Sequence, residues 1–133
     1  MAHVPTRSLK IGEVARRAGV TVDAIRFYER RGVLPPAKRQ PSGYRSYTDE
    51  TVERIRLTKS LQALGFTLEE VVSALGRLDA GDATCASERW RYAQVLDRID
   101  AKLAELRRVR RDVVKVLEAS HAGHCEVCDG RFR

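Results

Sequence analysis

The sequence predicts a mainly α-helical fold in three parts: a head of short helices, one long helix and a short C-terminal segment. Three observations predict it. Apolar residues recur at helical spacing in blocks punctuated by Gly19, Gly32 and Gly65. Pro35, Pro36 and Pro41 gather in one stretch between helical patterns. A heptad seam then runs unbroken by proline or glycine from Tyr92 to Leu117.

Residues 1–7 read as a loose N-terminal tail. Ile11, Val14, Ala15 and Ala18 follow helical spacing, and Gly19 breaks it. Thr21 fits the N-cap of a second helix carrying Val22, Ile25, Phe27 and Tyr28, which Gly32 ends. Two short helices joined at a glycine form a helix-turn-helix pattern. Over residues 33–47 the prolines exclude a helix, and short extended pieces around a Ser42-Gly43 turn fit a hairpin wing. Thr48 then caps a third helix, Asp49 to about Leu64, with Asp49 and Glu50 in its first turn. Gly65 ends it. Thr67-Leu68-Glu69-Glu70 is a capping box that opens a fourth helix. These elements make residues 8–77 a winged helix-turn-helix domain, and residues 78–85, with Gly81 and Asp82, a linker.

The long helix is expected from about Ser87 to Ala119, within a segment spanning 86–119. Tyr92, Leu96, Ile99, Leu103, Leu106, Arg110, Val113 and Leu117 alternate at spacings of four and three, and all but Arg110 are apolar or aromatic. At ~1.5 Å per residue the helix is roughly 50 Å long. So small a head cannot cover such a seam, and a second copy of the chain, parallel or antiparallel, is the economical partner. Residues 120–133 hold His121, His124, Cys125 and Cys128 with Gly123 and Gly130, and read as a loop and tail.

Composition narrows the function classes. Of 133 residues, 43% are hydrophobic and 32% charged, which excludes a disordered chain. The net charge of +7 favours an anionic partner such as nucleic acid, and most of the excess lies before residue 76. No signal-like stretch or membrane-length apolar run is present, so no membrane partner and a cytoplasmic location are expected. Three cysteines in a reducing compartment argue against a disulfide framework and for metal binding or redox sensing. A Cys-x-x-Cys oxidoreductase would need a βαβ scaffold, which the pattern lacks, so no enzyme is expected.

The second helix offers Arg26, Arg30 and Arg31 beside Tyr28, and the wing offers Lys38, Arg39, Tyr44 and Arg45. Arginine presents a planar fork to phosphate or guanine, and tyrosine a hydroxyl to phosphate. The same residues also fit solvated faces, with Phe27 and Tyr28 in the core.

The run Ile25-Arg26-Phe27-Tyr28-Glu29 together with Gly43-Tyr44-Arg45-Ser46-Tyr47, and Leu64-Gly65-Phe66-Thr67-Leu68-Glu69-Glu70-Val71 further on, resembles the MerR family of transcription regulators. The resemblance covers residues 8 to about 119. It implies a winged helix-turn-helix head, an antiparallel coiled-coil dimerisation helix and a short C-terminal metal-binding loop. It places the helix opening at Thr21, Val22 and Asp23 in the DNA major groove, with Arg26 and Tyr28 at the DNA and Tyr44 and Arg45 on the flanking backbone. It further implies a homodimer on double-stranded promoter DNA. On effector binding the dimer would bend and untwist that DNA, realigning the promoter elements for RNA polymerase.

An antiparallel dimer would set Cys85 of one subunit beside Cys125 and Cys128 of the other. Three thiolates suit a soft divalent ion, Zn, Hg, Cd or Pb, and His121 or His124 would add a nitrogen ligand. Taken alone, Cys85 fits a small buried hydrophobe, and the alternative for Cys125 and Cys128 is a reversible disulfide. The C-terminal pattern departs from metal-sensing members, because Ser120 and His121 stand where a cysteine usually ends the long helix. It also lacks the four-cysteine cluster of the iron–sulfur branch. Residues 120–133 are too few to enclose a drug-sized pocket.

Overall fold

The first helix, α1 (Ile11–Ala18), ends where Gly19 takes φ +66° and returns its N–H to the Ala15 carbonyl. That left-handed turn suits a residue without a Cβ, and it starts the second helix only three residues later. α2 (Val22–Arg30) begins on Thr21, whose hydroxyl accepts from the Ala24 N–H at 3.1 Å. Together they form the expected helix-turn-helix. The computed structural model describes residues 7–39, 41–43, 45–123 and 130. These fall into two compact units, the first ending at Arg91 and the second beginning at Tyr92.

The wing follows as two antiparallel strands, β1 (Lys38–Arg39) and β2 (Arg45–Ser46), with Lys38 opposite Ser46 and Arg39 opposite Arg45. Gly43 sits in the turn at φ +82°. The chain before α1 joins the wing as well: Leu9 and Tyr47 exchange both backbone hydrogen bonds, at 2.8 and 3.0 Å. α3 (Asp49–Ala63) packs across α1, and α4 (Leu68–Asp79) packs on α3. Thr67 and Glu70 form the capping box at the start of α4, at 3.3 and 2.8 Å.

The core of this unit draws on α1, α2, α3 and α4 and on the segments that join them. Val14, Ile25, Val33, Ile55, Val71 and Leu75 are fully enclosed, and Tyr28, Tyr47 and Phe66 are buried around them. Burying each such side chain contributes on the order of 1.5–3 kcal/mol. Arg54 bridges three segments. Its Nε donates to the Val33 carbonyl at 2.5 Å, and its two terminal nitrogens meet both oxygens of Asp79 at 2.6 and 2.7 Å.

α5 (Cys85–His121) is longer than expected at both ends. It starts at Cys85 rather than near Ser87 because Thr84 and Ser87 make a reciprocal capping box. The Ser87 N–H meets the Thr84 hydroxyl at 3.0 Å, and the Thr84 N–H meets Ser87 Oγ at 2.9 Å. Leu78 and Asp79 belong to α4. The linker therefore shortens to residues 80–84, and Cys85 leaves it to become the first residue of the helix. At the other end Ser120 and His121 stay helical.

In the second unit the expected seam is open. Tyr92, Leu96, Ile99, Leu103, Leu106, Val113 and Leu117 are each between 42% and 66% exposed. Among the described residues no helix is long and apolar enough to cross a membrane.

Candidate nucleic-acid interface

α2 presents most of its polar side chains to solvent. Thr21, Asp23, Arg26 and Arg30 are exposed, and Val22 is half-buried. Arg26 touches Asp23 only at 3.8 Å, a loose pair between exposed groups that leaves its guanidinium available. Arg31 pairs with Glu69 and lies over the Phe27 ring, 5.9 Å from its centroid. That spends Arg31 on holding α2 to α4.

Tyr28 departs from the expected pattern. It is 9% exposed and packs in the core. A helix turns about 100° per residue, so Ile25 and Tyr28, three apart, share the inward face. The resemblance set Tyr28 at the DNA, but the structure leaves it little surface to offer there. Its neighbour Phe27 is 42% exposed instead.

The wing is tied to α2 through one carboxylate. Glu29 accepts from Arg45 at 2.7 Å and from the Tyr47 hydroxyl at 2.5 Å. Burial and the Glu29 carboxylate push the Tyr47 phenol up to about 12, so Tyr47 stays a neutral donor at any physiological pH. Arg45, expected on the DNA backbone, is thus also an internal anchor, though it remains 44% exposed. Arg39 is exposed, and the backbone of Lys38 pairs in β1. Tyr44 lies outside the described residues.

Between α1, α2 and the wing runs an open groove of about 940 Å³. Its lining includes Arg7, Lys10, Arg26 and Arg45, and one carboxylate, Glu13. Hydrogen bonds from Arg16 at 2.9 Å and Arg17 at 3.0 Å hold the Glu13 carboxyl below its usual range. Arg7 and Lys10 escaped the sequence reading. They precede the first helix, and the pairing of Leu9 with Tyr47, with a Ser8–Ser46 hydroxyl bond at 2.6 Å, carries them to the wing.

Residues 9–78 match the MerR HTH family of regulatory proteins, and residues 52–116 match the MerR DNA-binding family. The chain belongs to the MerR family. It is therefore a DNA-binding transcription regulator and not an enzyme. The mercuric resistance operon regulatory protein of Bacillus cereus is 37% identical over 109 residues, 82% of this chain and 83% of that protein. Among solved structures, MerR of Bacillus megaterium in complex with mercury(II) is 34% identical, with a TM-score of 0.65 over 83% of this chain and 85% of that one. PbrR691 of Ralstonia metallidurans CH34 in complex with lead(II) is 25% identical, with a TM-score of 0.76 over 84% and 87%.

Of the MerR-type effector residues expected from sequence, two are described. Cys85 is a free, exposed thiol at the first residue of α5. His121 is exposed at the last. One continuous 37-residue helix cannot bring its own two ends together. His124, Cys125 and Cys128 lie outside the described residues. Among the described residues no group of three His, Cys, Asp or Glu side chains is placed to hold a metal ion.

Proposed function

We propose that this protein is a homodimeric, metal-responsive regulator that controls a promoter by distorting its DNA. The exposed Cys85 thiol at the first turn of α5 carries the reading. A sulfur held at the start of a long helix, and free of the core, is poised to ligate. The two solved relatives described in complex with mercury(II) and lead(II) support a soft divalent ion as effector. Cys125 and Cys128, with Cys85 of the opposite subunit, form the proposed ligand set, and His121 or His124 is a further donor. Three thiolates select soft ions, with Zn, Hg, Cd and Pb as the candidates. The open seam of α5 supports the dimer, since apolar surface on that scale calls for a partner.

On the DNA, Thr21, Val22, Asp23, Arg26 and Arg30 of α2 are the proposed groove contacts, and Lys38, Arg39, Tyr44 and Arg45 the wing contacts. Bending a promoter takes on the order of 1–6 kcal/mol, and the effector must favour the distorting state by a comparable amount. RNA polymerase then engages the realigned promoter. The metal reading is preferred over a Cys125–Cys128 redox switch because the mercury and lead relatives favour it.

Native mass spectrometry of the reduced protein, titrated with Zn(II), Cd(II), Pb(II) and Hg(II) beside a Cys85→Ser variant, tests this. Tight binding to a dimer that weakens in the variant is the expected result. Binding that ignores Cys85 would sink the cross-subunit site. No binding by any ion would return the sensor role to thiol oxidation.

A further inference from the structure

We infer that the groove between α1, α2 and the wing seats one phosphate of the DNA backbone, with Arg7 and Lys10 as its principal ligands. This rests on the DNA-binding reading of the same head. Four cations line the groove: Arg7, Lys10, Arg26 and Arg45. The state of each differs. Arg45 is anchored by Glu29, and Arg26 touches Asp23 only at long range. Arg7 and Lys10 are exposed and, among the described residues, their side chains make no hydrogen bond or ion pair.

The one carboxylate in the lining, Glu13, is already engaged by Arg16 and Arg17, so it opposes an incoming anion weakly. α1 starts on Lys10 with no side chain capping its first turn. The helix end thus adds partial positive charge to the same groove. The ligand is a DNA phosphodiester rather than a free metabolite because the groove is continuous with the α2 and wing residues proposed to meet DNA. Arg26 and Arg45 belong to both surfaces.

A phosphate contact fixes position and register but carries no base sequence. The test therefore separates affinity from sequence preference. The operator is first recovered by selection from random-sequence duplexes with the full chain. Binding of wild type and an Arg7→Ala/Lys10→Ala double variant is then measured by fluorescence anisotropy across salt concentration. Both residues are exposed, so the variant is expected to fold, and matching thermal melts confirm it.

Each subunit of the proposed dimer seats one phosphate, so losing both should make the slope of log affinity against log salt shallower by about 1.8. Between 50 and 200 mM salt, wild-type affinity should then fall about 12-fold more than that of the variant. The selected sequence should not change. A second measurement steps a single uncharged methylphosphonate along the operator backbone. One position in each half-site should weaken the wild type and leave the double variant unaffected.

A slope and methylphosphonate profile equal to wild type would overturn the phosphate seat. So would a variant with altered sequence preference, which would make these residues base readers. A wild type that selects and binds no duplex would instead sink the DNA-binding reading itself, and that failure shows before any variant is made.

Discussion

Glu29 shows how one side chain sets the shape of a binding surface. It carries a single charge but meets two donors, Arg45 in the second strand of the wing and the hydroxyl of Tyr47 just after it. Tyr47→Phe removes the 2.5 Å bond while keeping the ring in the core. A hydrogen bond to a charged group is worth about 1.5–3 kcal/mol, so urea denaturation of the variant should show a loss in that range. DNA affinity should fall with it, because the wing loses one of its two ties to α2. Arg26→Ala should weaken operator binding by ~1–3 kcal/mol with no change in stability, since its pair with Asp23 is long and exposed. Operator affinity at fixed salt equal to wild type would reduce Arg26 to a surface charge.

At the scale of elements, the connection between α2 and the end of α4 runs through Arg54. Its Nε serves the carbonyl of the enclosed Val33, just after α2, and its other nitrogens grip Asp79, the last residue of α4. Arg54→Ala should destabilise the head by about 1.5–3 kcal/mol, measured by urea unfolding, because the Val33 carbonyl loses its charged donor. Asp79→Asn should cost less, up to about 1 kcal/mol, since that carboxylate is largely exposed. The hydrogen bonds from Arg54 hold the Asp79 carboxyl below its ordinary value of 3.8. The stabilisation is therefore fully present above pH 3.8 and is lost as pH falls through the lowered folded value. Denaturant midpoints of wild type and Asp79→Asn should accordingly converge in that acid window and separate above it. Helix boundaries were legible wherever a cap announced them, as at Thr21, Gly19 and Thr67. The start of α5 was misplaced because Thr84 and Ser87 cap each other with hydroxyls, whereas the familiar box pairs a hydroxyl with Glu or Gln.

At the scale of the whole molecule, the apolar seam of α5 stands open. Seven apolar or aromatic side chains stand open along it, from Tyr92 to Leu117. If the proposed homodimer forms along this seam, Leu103→Arg, near its middle, should shift the protein from dimer to monomer in sedimentation. It should also abolish the dependence of melting temperature on protein concentration. An unchanged dimer would move the interface elsewhere.

The sequence by itself determined the order of helices, the wing, the open seam and the arginines of α2. Each of these is written in local periodicity, capping chemistry or turn residues, which act over a few positions of chain. Only the tertiary structure decided that Tyr28 turns inward, that Arg45 serves Glu29, and that Arg7 and Lys10 share a groove with Arg26. These depend on residues far apart in the chain, brought together by the pairing of Leu9 with Tyr47 and by the packing of α3 across α1. Local spacing carries no information about such distant meetings, because they are fixed by which faces are buried together.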